Sequence, residues 1–194
     1  AGVRGGARSR TASFGGSGVV YGSGSGLVCG ASARGNDPAT QWRLPERGSD
    51  LAQWPDNPRA LRGLAFGYQS AGDLDAAIGH YRQALQIEPD DPGVYFNLGL
   101  IYERRGDTDA TIQHYARAVA LVPNMAKGHN NLGAALEAMG RFQRALTRYR
   151  RAVEIDSGYV LAHKNLALLL VDLGDPVAAV DHLVAIARLR PDDR

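Results

Sequence analysis

Residues 97–107 read Asn-Leu-Gly-Leu-Ile-Tyr-Glu-Arg-Arg-Gly-Asp, and residues 131–141 read Asn-Leu-Gly-Ala-Ala-Leu-Glu-Ala-Met-Gly-Arg. The two stretches lie 34 residues apart, and the same step carries Gly106 and Gly140 back to Gly72 and on to Gly174. Other series keep the step: Leu64, Leu98, Leu132 and Leu166; Tyr68, Tyr102, Leu136 and Leu170; Tyr81, Tyr115, Tyr149 and Leu183. Small residues recur at Ala65, Gly99, Gly133 and Ala167, and again at Ala84, Ala118 and Ala152, where Ile186 breaks the set. A fixed period of this length marks an array of helix-turn-helix units.

Local chemistry fits helices at 59–71, 75–88, 92–105, 109–122, 126–139, 142–155, 160–173 and 176–189. Each repeated glycine can take positive φ and close the turn after a first helix. Asp73, Asp107 and Asp175 follow three of those glycines as N-caps, and Arg141 leaves the third unit without one. Pro58, Pro92 and Pro176 stand at first helical positions, and Pro89, Pro123 and Pro191 end second helices.

These residues resemble the tetratricopeptide repeat (TPR) family over about 70% of the chain, with repeats at 58–91, 92–125, 126–159 and 160–193. Leu61, Tyr95, His129 and His163 stand where the family often has Trp. The resemblance implies an all-α, right-handed α-solenoid whose first helices line a concave groove, and protein–protein binding as its activity. Residues 57–194 would form the array. Residues 1–56 would form a disordered leader or linker, since residues 1–50 hold 12 glycines among Ser and Arg and keep no period. A short helical turn is expected at Arg47–Trp54.

On the first helices, residues three and four apart share a stripe. It carries Asn97, Asn131 and Asn165, with Gly63 in the first unit. A side-chain amide donates and accepts, so such a row can hold an extended peptide backbone. The TPR arm of O-GlcNAc transferase is similar in this respect, with an asparagine ladder along its groove; bridging of neighbouring helices is the structural alternative. Beside the row run Phe66, Leu100, Ala134 and Leu168, flanked by Phe96, Leu161 and Val171. The expected groove set is Arg62, Phe66, Phe96, Asn97, Leu100, Lys127, Asn130, Asn131, Lys164, Asn165 and Leu168. Arg62, Asn97 and Lys127 match places used by TPR clamps for chaperone C-terminal carboxylates, but Phe66 and Asn131 replace other members of that pattern.

Other chemistry is thin. The net charge of +2 gives no global attraction to nucleic acid or membrane. Arg144, Arg148 and Arg151 line one face of the sixth helix without interleaved stacking aromatics, as a solvated face would, and no nucleic-acid partner is expected. Cys29 is the one cysteine, which excludes an intrachain disulfide and a thiolate metal site. The five histidines fall on successive repeats and not in one coordination sphere, so neither metal nor cofactor is expected. No Ser/His/Asp arrangement is present, and Gly22–Gly26 lacks the lysine of a phosphate loop.

The reading is a non-catalytic module for a protein or peptide partner, at no membrane. The alternative is the TPR part of a larger enzyme such as a glycosyltransferase; Ala1 in place of Met favours a fragment. The last helix, 176–189, is apolar on more than one face, which predicts cover by further repeats or by self-association.

Overall fold

The computed structural model describes residues 57–189. The readings for residues 1–56 and for Pro191 lie outside the described residues. Eight helices follow in chain order: α1 (Pro58–Ala71), α2 (Leu74–Ile87), α3 (Pro92–Arg105), α4 (Thr108–Leu121), α5 (Ala126–Ala138), α6 (Phe142–Ile155), α7 (Val160–Asp172) and α8 (Pro176–Leu189). No strand occurs among the described residues. Each helix packs on the next, most closely within the pairs α1–α2, α3–α4, α5–α6 and α7–α8, giving an α-solenoid.

The turns inside the pairs share one geometry. Gly72, Gly106, Gly140 and Gly174 have φ of 87°, 74°, 71° and 85°. That left-handed conformation places a side chain badly, and glycine has none. The next amide then reaches back five residues, as Asp73 N does to Tyr68 O at 3.0 Å, and satisfies a helix-end carbonyl.

Starts are less uniform. Asn57 and Asp91 cap α1 and α3 through their side chains, with proline in the first turn. Asp73, Asp107 and Asp175 each accept from the amide three residues on, at 3.0–3.1 Å. Met125, Arg141 and Tyr159 open α5, α6 and α7 with no side-chain cap bond. The cap at Arg141 can be restored. Arg141→Asp should supply the missing acceptor and an acid at the positive end of the α6 dipole, for about 1 kcal/mol of added stability. A thermal melt would then rise by a few degrees; no rise would mean another group already satisfies those amides.

Small residues set how close the pairs approach. A Cβ added at Gly99 would meet the Tyr115 ring at 2.5 Å, and one at Gly133 would meet the Tyr149 ring at 2.7 Å. Tyr81, Tyr115 and Tyr149 are each buried to within 1%. The core falls into two clusters. One joins Leu61, Ala65, Ile78 and Tyr81 to Val94, Leu98 and Ile101 of α3. The other begins at Phe96, also on α3, and continues through Tyr115, Leu132, Tyr149 and Leu166 to Ala179 on α8.

Candidate functional site

The asparagines at the 34-residue step stand on α3, α5 and α7, and their amides are engaged within the array. Asn97 hydrogen-bonds the Tyr81 hydroxyl. Asn131 Nδ2 donates to Tyr115 Oη at 3.3 Å, and Asn131 Oδ1 accepts from Asn130 Nδ2 at 3.3 Å. Asn165 Nδ2 donates to Asn130 Oδ1 at 3.0 Å. Tyr115 Oη in turn donates to Glu103 Oε2 at 2.7 Å. Hydrogen bonds therefore run one way from α7 through α5 and α4 to a carboxylate on α3. Asn130, 2% exposed, sits in the middle of this run and is out of a ligand's reach.

The acceptors of the tyrosines form a series that the sequence reading missed. Gln69, Glu103 and Glu137 recur at the 34-residue step, one position after Tyr68, Tyr102 and Leu136. Tyr81 Oη donates to Gln69 Oε1 at 3.0 Å, and Tyr149 Oη to Glu137 Oε2 at 2.7 Å. In the last pair both partners turn apolar, as Val171 and Leu183. That joint change was the available signal. Burial raises the pKa of Glu103 and Glu137, and the tyrosine hydrogen bonds partly offset the rise. Burial pushes the Tyr115 and Tyr149 hydroxyls far up, and the carboxylate beside each adds to the shift. These hydroxyls stay protonated and act as fixed donors.

Other groove candidates divide. Phe96 is 7% exposed and lies 5.5 Å from the Tyr115 ring, so it belongs to the core and not to a groove wall. Arg62 is held by Glu88 Oε2 at 3.1 Å and by Asp91, the α3 cap. That tie engages the Arg62 guanidinium within the array. Phe66, Leu100, Ala134 and Lys127 are half-buried, Lys164 is exposed, and Leu168 is 48% exposed. The apolar row is thus partly open along all four pairs.

A second apolar surface lies on the last helix. Val177, Val180, Leu183 and Val184 are 80%, 53%, 51% and 41% exposed. Val180 and Leu183 hold the registers of Ile78 and Tyr81, which the following pair buries. Among the described residues no three His, Cys, Asp or Glu side chains cluster as metal ligands. No described helix is long and apolar enough to cross a membrane.

Stacked helix pairs closed by a left-handed glycine, with a partly open apolar row along the first helices, define a repeat module of the protein-interaction class. One TPR-repeat family model matches residues 68–106, and two tetratricopeptide-repeat models match 92–158 and 136–194. Over these residues the chain belongs to the tetratricopeptide-repeat family. No curated protein matches it. Among solved structures it is similar to MamA, with a TM-score of 0.68 at 23% identity, over 73% of this chain and 82% of that one. It is also similar to YrrB, described as a TPR protein with an unusual peptide-binding site, with a TM-score of 0.63 at 20% identity over 74% of each chain. PilF of Pseudomonas aeruginosa gives 0.66 at 21% identity, over 71% of this chain and 63% of that one.

Proposed function

We propose that residues 58–189 hold an extended peptide, or an extended segment of a partner protein, along the face of the first helices. One observation carries the reading. Phe66, Leu100, Ala134 and Leu168 hold one register in four successive pairs and all stay partly open to water. A partly open apolar row of this length suits alternate side chains of an extended chain. The amide row plays a smaller part than in the asparagine-ladder groove of O-GlcNAc transferase, because Asn131 is engaged through both its oxygen and its nitrogen.

The test is selection from a random peptide display library, followed by Leu100→Lys with Leu168→Lys. Both sites are open enough for the lysines to reach water, so the fold should persist by circular dichroism. Each lost apolar contact is worth about 1–2 kcal/mol, so affinity should fall on the order of a hundred-fold. Unchanged affinity in the folded double variant would move the ligand off this face.

We further propose that the open apolar face of α8 is covered either by further repeats or by a second copy of this chain, α8 against α8. The corresponding face of α1 carries Ala60, Leu64 and Gly67 at the registers of Val94, Leu98 and Ile101, smaller at two of the three positions. A head-to-tail contact is thereby disfavoured, whereas valines and leucines meeting their own copies form a self-complementary patch.

A further inference from the structure

On the side of the array formed by the second helices, an open groove of about 460 Å³ lies between α4 and α6. Its walls include Val119, Pro123 and His129, and the α6 side chains Arg148, Arg150, Arg151 and Glu154. The third pair is the basic part of the array: residues 126–159 hold six Lys and Arg against three Asp and Glu. Arg148 and Arg150 have no ion pair or hydrogen bond among the described residues, while Arg151 is tied to Glu154 at 3.2 Å and Asn124 at 3.4 Å.

His129 is 5% exposed and is anchored by one ring nitrogen, with Nε2 3.1 Å from Pro123 O. A carbonyl only accepts, so Nε2 carries the proton and Nδ1 of the neutral ring presents a lone pair. Nδ1 is the one buried side-chain polar atom without a partner among the described residues. In the next pair the same position is satisfied. His163 Nε2 lies 3.0 Å from Ser157 O, and its Nδ1 lies 3.1 Å from His182 Nδ1. One step of 34 back from His182 stands Arg148. The third pair has thus replaced a partner for the ring with a cation at the mouth of a basic groove.

We propose that this groove binds a phosphate monoester, with Arg148 and Arg150 on its anionic oxygens and its remaining O–H donated to His129 Nδ1. Guanidinium groups match phosphate oxygens in geometry and charge. A lone pair facing the same group needs a ligand that is an anion and also a donor. A monoester meets both needs near its second pKa of about 6; a carboxylate or a phosphodiester has no proton to give. Burial and the nearby Arg148 and Arg151 lower the pKa of the His129 ring, which keeps it neutral and accepting in the empty groove. The other charged groups lining the groove are Glu154 and Arg150 on α6; α4 and the loop contribute Val119 and the Pro123 carbonyl.

The experiment is titration of the full chain with inorganic phosphate, phosphoserine, dimethyl phosphate, sulfate and acetate, followed by NMR and calorimetry at pH 6 and pH 8. Because the ligand brings a proton that the ring shares, binding should tighten as pH falls. Phosphate and phosphoserine should saturate one site several-fold more tightly at pH 6, and sulfate should lack that gain. Stronger binding of phosphoserine than of phosphate would assign the groove to phosphorylated side chains, and the reverse order to the free ion. Arg148→Ala with Arg150→Ala should abolish binding. His129→Leu puts at this position the residue that Leu61 already supplies, buried, in the first pair, so it should fold, bind more weakly and lose the pH dependence. Equal binding of dimethyl phosphate or acetate, no saturable site, or affinity indifferent to all three substitutions would overturn the assignment.

Discussion

Tyr115→Ala is expected to be the most damaging single substitution in the array, costing about 3–5 kcal/mol as large buried aromatics do. The ring is fully buried, touches Phe96 and fills the space that Gly99 leaves open. Its hydroxyl also joins Asn131 to Glu103. Tyr115→Phe separates the two contributions. It keeps the ring and strips the donor from a carboxylate whose pKa burial already raises. The expected loss is about 1–3 kcal/mol, the usual cost of a buried group left unsatisfied. Urea unfolding of the two variants measures both numbers. A Phe variant as stable as the parent would show that Glu103 finds water instead.

The second large effect concerns α8. If α8 pairs with α8 as proposed, Val177→Asp with Leu183→Asp should turn the pair into monomers. Each carboxylate would have to be buried in an apolar contact without a partner, a cost of several kcal/mol per group. At about 1.4 kcal/mol per factor of ten, the dissociation constant should rise more than a hundred-fold. Both positions are exposed in the single chain, so the fold is not at risk. Sedimentation over a wide concentration range reads the result. A parent chain that is monomeric throughout would end the pairing of α8 with α8.

Helix positions were legible because period and punctuation repeat together. The expected ends agree with the observed ones to within a residue, since glycine, aspartate and proline act locally. The site was legible only in part. A 34-residue step says that Asn97, Asn131 and Asn165 share a register, but not that Tyr81 and Tyr115 reach the first two. That depends on how one pair leans on the next. Nor does the step show that Asp91, the cap of α3, reaches Arg62 29 positions back. Phe96 stands four residues before Leu100, a spacing that shares its stripe, yet its ring lies against Tyr115 in the core. The His163–His182 contact joins two series that each looked solitary.

The division of the core at α3 governs reach. Val94, Leu98 and Ile101 lean toward the first pair, while Phe96 leans toward the rest. The junction of α2 with α3 is also the sparsest between pairs. A rod with a continuous core flexes evenly, but one with a divided core flexes at the division. The span from Phe66 to Leu100 is then the adjustable part of the ruler, and the span from Leu100 to Leu168 the fixed part. A bound chain would find its spacing dictated at one end and negotiable at the other.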